Sequence, residues 1–200
     1  MIYLDHAAAT PVSAKALEAM LPYFADQFFN PSAPYLPAKH VREAYESAKN
    51  DLAHTIGAKG VDLVITAGAT ESINLAFTVL DSVDLPNPQS LVLATEHAAV
   101  LAAARLHDYD LIKVDRNGLI NLADFREKLT DDIVLVSISL ANNELGTIQP
   151  LAEISEIIRQ TRQNRLERGI TTPLYLHSDA SQALSLIDIN VARLGVDLLT

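Results

Sequence analysis

A phosphate can be held without a charged side chain where a strand enters a helix through small residues. The first turn of a helix leaves its N–H groups without intrahelical partners and carries the positive end of the dipole. Thr66-Ala67-Gly68-Ala69-Thr70-Glu71-Ser72-Ile73-Asn74 has that composition. Leu63 to Ile65 reads as the end of a buried strand, Gly68 and Ala69 let backbone pass close to a ligand, and Thr70 adds a hydroxyl. The same residues also suit an ordinary tight turn, so the segment gains weight only from what stands at equivalent positions elsewhere.

Just past the ends of the later apolar runs come Glu96-His97, then Asn142-Asn143-Glu144, then Asp179 with Gln182. Each has a plain structural reading: His97 as a helix-start residue, Asn142-Asn143 as a turn, Asp179 as a helix cap. Jointly they would set an anion cradle, an aromatic ring, amide groups and one carboxylate on one rim. Competing signals are weak. Neither G-x-G-x-x-G nor G-x-x-x-x-G-K-[ST] occurs. The histidines at 6, 40, 54, 97, 107 and 177 lack ligand spacing, so no metal site is expected. Arg159, Arg162, Arg165 and Arg168 read as a solvated stripe at a helix C-terminus.

The elements that must position these residues alternate. Ser13 should cap a helix running to about Phe24, and the prolines at 31, 34 and 37 impose an extended loop. Val41, Tyr45, Ala48 and Leu52 recur at helical spacing, predicting a long surface helix over about Ala38–Ile56. From there strands are expected at Asp62–Thr66, Ser90–Ala94, Leu111–Val114, Ile133–Ile138, Leu174–Ser178 and Val196–Leu199. Helices are expected over Thr70–Val83, His97–Asp108, Asn121–Leu129 (capped by Asn121) and Leu151–Arg168, with Asn117-Gly118 as a turn. That alternation argues for an α/β fold with a mostly parallel sheet flanked by helices, and ligands in such sheets gather at the carboxyl ends of strands.

The bulk properties agree. A 49% hydrophobic content with aromatics at 6% implies a core of Ala, Leu, Ile and Val, as a buried parallel sheet requires. A formal charge of -10 argues against nucleic acid as a partner. No run approaches the roughly 18 apolar residues of a membrane span, and no signal peptide is expected. Without cysteine, the chain offers no disulfide, thiolate metal site or thiol nucleophile.

Six segments in register, Tyr3-Leu4-Asp5-His6-Ala7-Ala8, Asn30-Pro31-Ser32, Thr66 to Asn74, Thr95-Glu96-His97, Ala141-Asn142-Asn143-Glu144-Leu145-Gly146 and His177-Ser178-Asp179-Ala180-Ser181-Gln182, resemble the cysteine desulfurases of the NifS/IscS type. These are class V pyridoxal-phosphate enzymes of fold type I. The resemblance runs from about Tyr3 to Thr200 and implies an N-terminal arm plus part of a cofactor-binding large domain. It implies pyridoxal phosphate as cofactor, held by Ala69 and Thr70 at its phosphate, by Asp179 at its ring nitrogen and by Asn143 and Gln182 near its ring hydroxyl, with His97 stacked on the ring and available for proton transfer. The implied reaction converts L-cysteine to L-alanine plus enzyme-bound persulfide sulfur. The setting would be a cytoplasmic homodimer serving iron–sulfur cluster assembly through a sulfur-acceptor scaffold, without membrane or nucleic-acid partners.

The resemblance also implies a departure. The family's Schiff-base lysine, and the small domain with its arginine and persulfide cysteine, lie beyond the point matched by Val196 to Thr200, and Lys15, Lys39, Lys49, Lys59, Lys113 and Lys128 lie in no matching segment. The reading is therefore of a chain truncated before that lysine, with no turnover alone, exposed apolar sheet edges and poor solubility. A catalytically inactive homologue, or another class V enzyme such as an aminotransferase or selenocysteine lyase, stands as the alternative.

Overall fold

A computed structural model describes residues 2–184 and 186–200, which fall into two compact units, Met1–Val64 and Ile65–Thr200.

In the first unit the Ser13 hydroxyl accepts from the Ala16 N–H at 3.2 Å and opens α1 (Ala14–Met20). The single helix expected to Phe24 is instead two, because Pro22 cannot donate and restarts the chain as α2 (Pro22–Ala25). Pro37 occupies the first turn of α3 (Leu36–Thr55), where its missing N–H is not needed, so this helix begins two residues earlier than the periodicity suggested. Its Tyr45 and Leu52 are 44% and 43% exposed, and the residues it buries are Ala38 and Ala53.

The strand expected at Asp62–Thr66 does not form. Gly60–Asp62 is a turn of 3-10 helix, and Val64 and Ile65 are exposed. Extended backbone becomes a strand only beside a ladder that pairs its N–H and C=O groups, and no described strand pairs with 63–66.

The second unit is a five-stranded parallel sheet: β1 (Gln89–Leu93), β2 (Asp108–Ile112), β3 (Ile133–Ser137), β4 (Tyr175–Ser178) and β5 (Leu198–Leu199), in the order β2-β1-β3-β4-β5. Every residue of β3 is buried, the fate of a β-branched run in the middle of a parallel sheet. β2 begins three residues before the expected Leu111, because at a sheet edge polar residues such as Asp108 and Asp110 are tolerated in the ladder. The helices are α4 (Ala69–Phe77), α5 (Ala98–Ala104), α6 (Leu122–Lys128), α7 (Leu151–Glu167) and the unforeseen α8 (Val191–Leu194), whose Asn190 side chain accepts from the Arg193 N–H. Ile73 and Phe77 of α4 and Val100, Ala103 and Ala104 of α5 pack with Val92, Val134 and Leu135 of the sheet. α4 and α5 stop short of Val83 and Asp108, continuing as single turns. Asn121 caps α6 as expected, accepting from the Ala123 and Asp124 N–H groups.

The arginine stripe is solvated only in part: Arg159 and Arg168 are exposed, Arg162 is half-buried and Arg165 is buried. Arg165 is 1% exposed, and its guanidinium donates to the carbonyls of Thr130 and Ile133 at 2.7 and 2.8 Å and reaches those of Thr172 and Pro173. Arg168 grips Asp131 with both terminal nitrogens, and Arg162 donates to the Leu174 carbonyl and pairs with Asp197. Five donors in a rigid fork let one buried arginine serve several carbonyls at once, and here they fasten α7 to the entries of β3 and β4.

Candidate functional site at the carboxyl edge of the sheet

The order β2-β1-β3 means the chain leaves β1 for a strand on one side and later returns on the other. Between β1 and β3 the connections diverge, which in parallel sheets opens a crevice at the carboxyl ends. Side chains from both exits cross it. The Asn142 amide donates to the Thr95 carbonyl at 2.8 Å, and the Ser139 N–H donates to Glu96 Oε1. On the other flank the Leu140 N–H donates to the Asp179 carbonyl at 2.9 Å. Glu96, Ser139, Asn142 and Asp179 are thus joined through one short stretch of chain.

Glu96 is 6% exposed and its Oε2 has no hydrogen-bond partner. Burial pushes its carboxyl up to about 8, the Ser139 N–H opposes that, and the charge of Asp179 adds to it. The Ser139 hydroxyl, which makes no bond of proper geometry, still faces the same carboxyl. Asp179 is half-buried, and its Oδ1 accepts from the Ser181 N–H at 3.0 Å and the Ser181 hydroxyl at 2.6 Å. Its Oδ2 accepts no hydrogen bond among the described residues. Beneath it, fully buried His177 lies between the Ser137 hydroxyl (2.9 Å from Nδ1) and the Thr200 hydroxyl (3.0 Å from Nε2). Burial lowers this imidazole to about 4, against the pull of Asp179.

His97 follows Glu96 and caps α5: its Nδ1 accepts from the Ala99 N–H at 3.1 Å, which fixes that nitrogen as unprotonated and leaves an exposed ring held in place. The helix-start reading of His97 is the one the structure shows.

At the head of α4, Gly68 has φ 158° and ψ 177°, a conformation that side-chain-bearing residues rarely adopt, while an added Cβ would meet nothing within 4 Å. Backbone shape, not crowding, selects glycine. Thr66 Oγ1 donates to the Gly68 carbonyl at 3.1 Å and lies 2.8 Å from Ser72 Oγ, and the Ala67 N–H donates to Glu71 Oε2 at 2.6 Å. The N–H groups of Gly68, Ala69 and Thr70 are left with no acceptor among the described residues. Phe77, in the last turn of α4, stacks 6.4 Å from His107, just past α5. The Phe77 ring also meets the His177 ring edge-on at 6.5 Å.

The crevice thus draws together Glu96, Asn142 and Asp179, with His97 beside them. No hydrogen bond or ion pair among the described residues ties Ala69 or Thr70 to these groups. Asn143 is exposed and makes no side-chain hydrogen bond among the described residues; the structural work at that turn falls to Asn142, whose Oδ1 also accepts from the Glu144 and Leu145 N–H groups. Gln182 is exposed in the turn after Asp179. Sequence reasoning had not singled out Ser139, His177 or Thr200, and had noted Glu96 only as the neighbour of His97. A carboxylate directly after a buried apolar run was the available signal.

The chain is similar to proteins of known kind. The cysteine desulfurase IscS 1 of Archaeoglobus fulgidus is 37% identical over the whole chain, which covers 51% of that protein, and the cysteine desulfurase IscS of Dictyoglomus turgidum is 35% identical, again over the whole chain and 49% of its own length. Among solved structures, SspA in complex with cysteine superposes with a TM-score of 0.86 at 31% identity, covering 99% of this chain and 56% of that one. A NifS-like protein superposes with a TM-score of 0.90 at 26% identity, over all of this chain and 54% of the other. The chain spans about half the length of the curated relatives it matches. The parallel sheet with flanking helices is the fold-type-I large-domain arrangement of these neighbours. With the class-V aminotransferase description matching residues 2–200, the chain belongs to the class-V aminotransferase family, a family of pyridoxal-phosphate enzymes.

Proposed function

We propose that this chain is the cofactor-holding part of a pyridoxal-phosphate cysteine desulfurase, which removes sulfur from L-cysteine and, as a cytoplasmic homodimer, passes it to a scaffold protein. The observation that carries the reading is the presence in one compact unit of three consecutive N–H groups, at Gly68–Thr70, without an acceptor among the described residues and of a carboxylate, Asp179, whose Oδ2 accepts no hydrogen bond among them. These residues fit a phosphorylated pyridine: amides and the Thr70 hydroxyl for the phosphate, Asp179 for the protonated ring nitrogen, and the imidazole of His97, pinned through Nδ1, for a ring face. When bound, the cofactor supplies the electron sink that lets bonds at the amino-acid carbons break.

The chain's own contribution is placement and proton control. Ser181 fixes the orientation of Asp179 through Oδ1. His97, unprotonated at Nδ1, is able to hold or give a proton only at Nε2. The Asn142 turn keeps the exits of β1 and β3 at fixed separation.

Titration of the chain with pyridoxal phosphate, followed by its absorbance and by the 31P resonance of its phosphate, tests this. Saturable binding is expected, weakened about tenfold or more, the loss of roughly one charge-assisted bond, by Asp179→Asn and by Thr70→Val. Binding that is unsaturable, or indifferent to both substitutions, would overturn the reading.

A further inference from the structure

The buried carboxyl of Glu96 is the group at this edge that neither the cradle nor the ring contacts use. It reaches from the exit of β1 to the Ser139 N–H at the exit of β3, and the next N–H, that of Leu140, turns to the Asp179 carbonyl. Glu96 and Asp179 therefore flank the same dipeptide, one on each side. Glu96 Oε1 is satisfied, but Oε2 is buried without a partner. A carboxylate with one oxygen sealed from water and unbonded carries a large desolvation cost, which protonation removes. Asp179 keeps contact with solvent and has hydrogen bonds from Ser181 to support a charge.

We propose that Glu96 is a positioning residue for Asp179: it stands in the crevice as the uncharged acid, proton on Oε2, bracing the exits of β1 and β3 and leaving Asp179 as the single negative charge there. This deepens the functional reading, since one charge opposite a ring nitrogen holds one proton on that nitrogen, whereas two adjacent carboxylates would repel each other and open the crevice. Besides Asp179, the groups acting on Glu96 are neutral, the N–H and hydroxyl of Ser139. Burial is the main cause of its raised titration, with Asp179 the charged contributor.

The test needs no cofactor, so its outcome is independent of whether pyridoxal phosphate binds. Glutamine has the shape of the protonated acid and cannot ionise. The melting temperature of Glu96→Gln minus that of the unsubstituted chain, followed from about pH 5 to about pH 9, should be smallest at the acid end, rise by a few degrees with pH and level off above about 8, because the unfolded chain gives up this proton near the ordinary glutamate value while the native chain keeps it until about 8. In an Asp179→Asn background the rise should end at lower pH, because Glu96 then ionises beside no neighbouring charge. It follows that the midpoint in that background is expected below that of the native pair, and a midpoint unchanged or raised overturns the pairing. A difference constant across the range overturns the protonated state. Should the glutamine variant fail to fold, 13C titration of glutamate carboxyls in the unsubstituted chain decides the same point: one glutamate titrating near 8 supports the proposal, and all titrating in the ordinary range overturn it.

Discussion

The side-chain amide of Asn142 donates to the backbone carbonyl of Thr95 at 2.8 Å, so the turn after β3 is bolted to the turn after β1 across 47 positions of sequence. The same side chain, through Oδ1, closes its own turn onto Glu144 and Leu145. Asn142→Ala should remove all three bonds at once and cost about 1–3 kcal/mol in urea unfolding. Asn142→Asp, which preserves the acceptor but loses the donor, should fall between. A variant as stable as the parent would show the two exits are held by other means.

Gly68→Ala isolates the backbone of the cradle. Space for the new methyl is available, so any loss comes from moving residue 68 out of its present φ and ψ, about 1–3 kcal/mol if the turn is kept. Binding of pyridoxal phosphate should fall with it. Equal stability together with full binding would mean the turn has an alternative shape of equal worth.

His97 serves as cap and as ring, and two substitutions separate these. Alanine removes both, lowering stability by about 1 kcal/mol. Asparagine restores an acceptor for the Ala99 N–H without an imidazole. Stability should therefore return in His97→Asn while pyridoxal-phosphate affinity remains low. Recovery of both would reduce His97 to a cap.

His177 predicts an acid limb in stability. Its folded value, lowered by burial to about 4 from 6.5, means that as pH falls through the ordinary histidine range the unfolded chain takes up a proton that the native chain refuses. Stability from this residue is complete above the unfolded value and is lost as pH falls toward about 4. His177→Gln, at a position bonded to Ser137 and Thr200, should be less stable near neutrality but show a shallower decline on acidification. Parallel pH curves by thermal melting would contradict the buried, neutral imidazole.

Much of this was legible in the sequence because the governing signals are local. Asn121 and Ser13 announce their helices through a short polar side chain ahead of an apolar pattern, and Ile133–Ser137 announces a doubly covered strand by an unbroken apolar run. The failures are non-local. Leu63 to Ile65 has strand composition, but pairing depends on a neighbour that its own residues do not specify. Arg165 shares the spacing of its exposed companions, and only the approach of the β3 and β4 entries makes it buried. Asn143 and Asn142 are indistinguishable as letters; the hydrogen bond to Thr95 separates them. Glu96 gains its unusual acidity from burial and from Asp179, a residue 83 positions away, which no reading of its own neighbours supplies.

The Arg165 fork grips carbonyls where β3 and β4 begin, whereas Glu96, Asn142 and Asp179 stand where strands end. The scaffold thus keeps the Arg165 clasp and the candidate site at opposite rims, a strand-length apart. Substitutions along the carboxyl rim therefore leave the clasp at the other untouched, and with it the register of β3 and β4.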